Sequence, residues 1–208
     1  MGLKKGVLIT FEGIEGCGKS TQIEKIFKFL KKKNIKCIKT RAPGGTRLSE
    51  KIRKLIIYDL KNNEDNLTEL LLLFASRSNH FIKMSKYLKK KYVVICDRYI
   101  DSTYAYQHYE QGQSLKFINS LQKKIDNDVK PNITFFLDVT PSISKNRVLK
   151  RKKQDRFDMY NKTKMNNLRK SFLKLAKKYK RIVKIDGSKN ENEVHDEIIK
   201  ILMKKNVI

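Results

Sequence analysis

No run of this chain is apolar for long enough to cross a bilayer, and no charged and then apolar leader opens it. A soluble, cytoplasmic protein without a membrane partner is therefore expected. Cysteine is scarce: Cys17, Cys37 and Cys96 form an odd set with no C-x-x-C and no histidine at ligand spacing, which argues against a disulfide framework or a structural metal site. Cys37 and Cys96 fall in apolar runs, where a thiol acts as a small hydrophobe. Cys17 lies in a glycine-rich loop ahead of a helix, a place that can depress a thiol pKa but more often only needs a small side chain. His80, His108 and His195 show no ligand or catalytic spacing either. There is no Pro/Gly/Ser-rich linker and no internal repeat, so the 208 residues read as one domain, 1–208.

Negative charge is the last shortage. Only 21 Asp and Glu face 48 Lys and Arg, leaving a formal charge of +27. Such an excess attracts polyanions, nucleotides or nucleic acid. It is spread along the whole chain, however, so most of it reads as solvated surface, and nucleic acid is not an expected partner. The stretch from Ser142 to Arg181 differs in degree, with 16 basic residues against Asp155 and Asp158 alone.

What the chain does have is Gly13-Ile14-Glu15-Gly16-Cys17-Gly18-Lys19-Ser20, followed by Thr21. This is the phosphate-binding pattern G-x-x-x-x-G-K-[ST], placed between an apolar run, Gly6–Phe11, and a helical pattern through Ile23, Ile26, Phe27 and Leu30. A mere glycine turn could match the string; the strand before it and the helix after it are what phosphate binding requires. The glycines let successive backbone N–H groups turn toward phosphate oxygens, and the helix N-terminus adds its dipole. Lys19 is expected to reach the β/γ-phosphates of ATP, and the Ser20 hydroxyl to hold Mg²⁺.

Five short apolar runs, Gly6–Phe11, Lys36–Thr40, Tyr92–Cys96, Ile133–Val139 and Arg181–Ile185, alternate with helical patterns. That order predicts an α/β, three-layer P-loop NTPase fold whose five-stranded, mostly parallel sheet is flanked by helices. Ligands then sit at the carboxyl ends of the strands. The third run ends in Asp97-Arg98, where a carboxylate can serve Mg²⁺ and a guanidinium can face phosphate, or where a plain strand-end salt bridge can form. Asp138 ends the fourth run with no basic residue after it and reads as structural. On the helix through Leu67–Leu88, Leu67, Leu71, Phe74, Phe81 and Leu88 are expected to face the core. A neighbouring stripe carries Leu70, Leu73, Arg77, His80 and Met84. A buried arginine is costly unless it meets an anion, which makes Arg77 a candidate for a second substrate, with Arg53 a weaker one.

Four blocks give these signals a family. They are Phe11-Glu12-Gly13 with the loop through Thr21-Gln22, then Thr40-Arg41-Ala42-Pro43-Gly44-Gly45-Thr46, then Phe74-Ala75-Ser76-Arg77 with His80, and Asp97 to Thr103 running into Ala105-Tyr106-Gln107. Together the chain resembles the bacterial thymidylate kinases, which phosphorylate dTMP with ATP. The resemblance implies that Glu15 faces the deoxyribose, that Arg53, Arg77 and Arg98 clamp the dTMP phosphate, and that Thr103 and Gln107 reach the thymine edge. It implies that Tyr106 packs against the sugar, that Ser20 and Asp97 serve the metal, and that the enzyme is a homodimer. Family members with no basic residue at the positions of Glu15-Gly16-Cys17 keep their catalytic arginine in a mobile lid, so the resemblance implies a mobile basic lid here, about 142–160, with Arg151 and Arg147 first and Arg156 next.

The chain departs from the family pattern twice. Ala42 stands where the family has Glu, and Leu73 where it has the Phe that stacks on thymine. Weaker dTMP binding and looser base selection are the expected consequences. The alternatives are a kinase for a related deoxynucleoside monophosphate, or a basic nucleotide-binding protein with impaired catalysis.

Overall fold

The computed structural model describes residues 5–60, 66–126, 129–150 and 156–208. Five strands, β1 (Val7–Glu12), β2 (Cys37–Arg41), β3 (Val93–Asp97), β4 (Ile133–Asp138) and β5 (Ile182–Asp186), form one sheet in the order β2-β3-β1-β4-β5. Every neighbouring pair is parallel. The continuous apolar character of β1 and β3 follows from this: the central strands are covered on both faces, so there is no alternation to see. Each expected strand is present within one residue. Four run one residue further than their apolar core, so that Glu12, Arg41, Asp97 and Asp186 are strand-terminal. The register sets Phe11 beside Asp97 and Glu12 beside Phe136. The polar ends of the central strands therefore share one rim of the sheet, where the strand order reverses about β1.

Helices α1 (Lys19–Lys32), α2 (Arg47–Lys54), α3 (Asn66–Lys89), α7 (Lys162–Lys178) and α8 (Glu191–Lys204) lie where helical spacing puts them or close by, while α6 (Pro141–Leu149) falls at the start of the stretch expected as a mobile basic lid. Two segments were not legible. A short helix α4 (Ile100–Thr103) passes into a π-helical segment, Tyr104–Glu110, and α5 (Leu115–Asp126) follows. The first is rich in Tyr, Gln and His with no apolar period, and it becomes buried by packing on α7 and α5. A second π-helical turn, Leu55–Asp59, extends α2.

The face of α3 corrects the sequence reading. Leu67 and Leu71, expected in the core, are 40% and 46% exposed, while Leu70, Phe74, Arg77, His80 and Met84 are buried. Of the expected core stripe only Phe74 is fully buried; Phe81 and Leu88 are half-buried against it. Two apolar stripes about 100° apart both satisfy a helical period, and the period does not say which one meets the sheet. The sheet takes the stripe that carries Arg77 and His80. Among the described residues no helix is long and apolar enough to cross a membrane, and no group of three or more His, Cys, Asp or Glu could hold a metal.

Candidate active site

The phosphate loop opens the site on the rim beside β1. Gly13 has φ +137°, and a Cβ there would lie 2.7 Å from the Leu137 carbonyl oxygen, so both backbone shape and close approach demand glycine. Gly16 and Gly18 also take positive φ. The Lys19 ammonium donates to the carbonyls of Gly13 (3.1 Å) and Ile14 (3.0 Å) and lies 3.5 Å from the Cys17 Sγ. Ile14 and Cys17 are buried and anchor the loop. Residues Gly16 to Thr21 line one side of a cleft of about 900 Å³, with Arg147, Gly187 and Lys189 on the other. The Arg147 Nη1 donates to the Gly187 carbonyl (2.9 Å), which holds this lid candidate at the donor cleft. Arg151 lies outside the described residues.

One residue back along the loop, Glu15 faces a different cavity of about 670 Å³. Its carboxylate accepts from Arg98 Nη2 at 2.6 Å and from the Tyr106 hydroxyl at 2.8 and 3.0 Å. The Arg98 guanidinium also lies over the Tyr106 ring, 5.2 Å from its centre. Arg98 adopts φ +65°, a left-handed conformation uncommon for a side-chain-bearing residue, at the turn from β3 into α4. Burial lowers the pKa of Arg98, but Tyr106, Glu15, Asp97 and Glu12 together hold it above its ordinary value, so the guanidinium stays charged. Burial raises the Tyr106 phenol well above its usual range, which keeps it a donor.

Glu12 stands behind this triangle and was missed as a site residue. It accepts from the Tyr99 N–H (2.7 Å), the Ser102 N–H (3.3 Å) and the Ser102 hydroxyl (2.5 Å), while Arg98 Nη1 donates to that same hydroxyl at 3.0 Å. Complete burial, with Asp101 nearby, pushes its carboxyl up to about 7 against the opposing pull of Arg98. The available signal was an acidic residue ending an otherwise apolar strand.

Arg77 reaches the same cavity from α3. Its guanidinium donates to Gln122 Oε1 (2.8 Å), the Tyr99 carbonyl (3.3 Å) and Thr103 Oγ1 (2.7 Å), and packs over the Phe74 and Tyr99 rings. All three acceptors are neutral, and Nε is buried with no partner among the described residues. A buried cation held this way retains charge to offer a ligand. Leu73 lines the cavity while Phe74 sits behind it, as the helix geometry required. Arg53 lines it too and donates to the Pro43 carbonyl at 3.1 Å. Gln107 closes the far side, its Nε2 donating to Glu69 at 2.8 Å; Phe157 also lines the cavity, and its neighbour Arg156 pairs with Glu69.

Of the strand-end carboxylates, Asp138 and Asp97 differ in their partners. Asp138 pairs bidentately with Arg169 (2.6 and 3.1 Å) and is structural. Asp97 has one buried carboxylate oxygen with no partner among the described residues. Ala42, one residue past the end of β2, donates its N–H to the Asp97 carbonyl at 2.9 Å. His80 is packed, not catalytic: it bonds Thr40 Oγ1 at 2.7 Å, and burial drives its pKa down to about 4.

Known proteins resemble this chain over nearly its whole length. The family model described as thymidylate kinase matches residues 11–198. A thymidylate kinase of Rickettsia bellii is 40% identical over 204 residues, covering 96% of this chain and 97% of that protein. One of Vesicomyosocius okutanii is 39% identical over 202 residues, 96% of this chain and 98% of its own length. The crystal structure of the thymidylate kinase from Ehrlichia chaffeensis superposes with a TM-score of 0.75 at 35% identity, covering 95% of this chain and 99% of that one.

Proposed function

The chain belongs to the thymidylate kinase family, and from that premise we propose that it transfers the γ-phosphoryl group of ATP to a phosphate oxygen of dTMP, giving dTDP and ADP in the supply of dTTP. The observation that carries this reading is the adjacency of two cavities on one loop: Gly16 to Thr21 line the donor cleft, and Glu15 lines the pocket beside it. A donor and an acceptor bound there meet across the loop.

The acceptor phosphate is largely ionised near neutral pH, its second pKa being about 6, so no strong general base is required. The barrier is the approach of two polyanions, which calls for positive charge and alignment. Lys19 and the loop N–H groups bind the donor phosphates, and Arg98 and Arg53 take the acceptor phosphate. Arg77, bonded to Thr103, adds its charge from the side of the pocket that holds Thr103 and Gln107. Glu15 orients Arg98 and, with Tyr106, bounds the sugar. The Asp97 oxygen without a partner among the described residues and the Ser20 hydroxyl are oxygen donors of the kind a hard divalent cation takes, and Mg²⁺ held by them would supply further neutralisation of the donor phosphates. From the basic lid, about 142–160, Arg147 stands at the donor cleft; Arg151 and Arg156 complete the lid's candidates.

Leu48, Leu55, Tyr58, Leu67, Leu71 and Ile82 are exposed on α2, its π-helical turn and α3, the side turned away from the sheet. A second copy of the chain covering this surface makes the enzyme a cytoplasmic homodimer of single-domain subunits, with no nucleic-acid or membrane partner. A coupled ADP-release assay with dTMP, dUMP, dCMP and UMP tests the reading. dTMP should be the preferred acceptor, with a KM raised by Ala42 and Leu73; ADP release independent of any of the four contradicts it.

A further inference from the structure

Glu69 lies in the first turn of α3, is 5% exposed, and has no assigned part in the site. Three donors converge on its carboxylate. Gln107 Nε2 lies at 2.8 Å and Gln111 Nε2 at 3.1 Å, both on Oε1, while the Arg156 guanidinium pairs with Oε2. A carboxylate only accepts, so this contact fixes which end of the Gln107 amide faces it. Turning the amide over would set its carbonyl oxygen against Oε1 at the same short distance, two acceptors in a buried place, a costly arrangement. The carboxylate itself cannot swing away, because Arg156, packed 4.6 Å over the Phe157 ring, holds its other oxygen.

We propose that Glu69 is a specificity-determining positioning residue: by accepting the Gln107 amide N–H it commits Gln107 to present Oε1, an acceptor, to the base of the acceptor nucleotide. The inference rests on reading the cavity of about 670 Å³ as the acceptor pocket. Thymine and uracil carry an N3–H that such an acceptor completes. Cytosine carries a lone pair at N3, which meets the Oε1 lone pairs and is repelled. The chain therefore rejects a cytosine nucleotide through a residue one step removed from the base, by an unpaired acceptor set against the wrong ligand.

The test is kcat/KM for dTMP and for dCMP in the wild type, Glu69→Gln and Glu69→Asp, each with its thermal midpoint recorded. Glu69→Gln can donate to Gln107 Oε1 and so permits the flip; Glu69→Asp keeps the charge but withdraws it by one methylene. The preference for dTMP over dCMP should fall by about tenfold or more in either folded variant, on the scale that hydrogen-bonding sites discriminate. A preference unchanged while both kcat/KM values fall together makes Glu69 merely structural and overturns the proposal. Should Glu69→Gln not fold, Glu69→Asp decides alone. A wild type that phosphorylates neither nucleotide overturns the functional reading instead, and is distinguished by needing no variant to see it.

Discussion

The donor cleft and the acceptor pocket lie on one loop, yet they are built in different ways. Backbone does most of the work in the cleft: glycines at positive φ, consecutive N–H groups, a helix N-terminus and one lysine, all within Gly13–Thr21. The pocket is made of side chains gathered from the loop, the segment after β2, α2, α3, the end of β3 and the α4/π-helical segment, and its main polar members are held by other side chains. Arg98 leans on Glu15 and Ser102, Ser102 on Glu12, Arg77 on Thr103 and Gln122, and Gln107 on Glu69. A local site tolerates change elsewhere in the fold. A pocket of interlocked side chains does not, since removing one member strands its partners.

That contrast sets the expected order of effects. Lys19→Ala should lower kcat by about 10³-fold or more, as loss of a preorganised cation at transferring phosphate does, while equilibrium binding of dTMP stays within twofold of wild type. A large loss of dTMP binding in Lys19→Ala would mean that the two sites are not separately built. Arg98→Ala should reduce kcat/KM for dTMP by roughly 10²-fold or more, and it should also lower the thermal midpoint, because Glu15 keeps only its bonds from Tyr106. Arg77→Met should raise the KM for dTMP by about tenfold, the worth of one charge-assisted contact, and leave the KM for ATP alone. A change confined to ATP would remove Arg77 from the acceptor pocket. The smallest effect is on stability. Burial depresses His80 to about 4, below its ordinary 6.5, so the unfolded chain takes up a proton that the folded chain refuses. Its stabilisation is present above pH 6.5 and is lost as pH falls toward 4. Glu12, raised to about 7, has the opposite sign and gains stability on acidification. His80→Gln should therefore narrow the fall in thermal midpoint between pH 7 and pH 5 by a few degrees relative to wild type, and an unchanged difference would contradict it.

The same contrast explains what the sequence revealed. The phosphate loop, the strands and the pairing of Asp97 with Arg98 are contiguous signals, and each was readable within about ten residues. Arg77 stood out because a lone cation on an apolar helix needs a reason. Glu69 and Gln122 carry no local signal, and Glu12 and Ser102 none that gives their role, because what makes them part of the site is a partner far along the chain: Gln122 meets Arg77 across 45 positions and Glu12 meets Ser102 across 90. The α4/π-helical segment carries Thr103, Tyr106 and Gln107 and has no period of its own; packing against α7 shapes it. On α3 the period is present twice over, and Leu67 and Leu71 fit a core stripe yet lie exposed, because a single chain does not say which of two apolar stripes the sheet will claim.

A crystal structure of the enzyme with dTMP and a non-hydrolysable ATP analogue examines the central claim most directly. The account predicts the thymine nucleotide between Glu15, Leu73, Arg77 and Arg98, and the triphosphate along Gly16 to Thr21 with Lys19. A nucleotide monophosphate bound anywhere else, or both ligands in the one cleft, would contradict it.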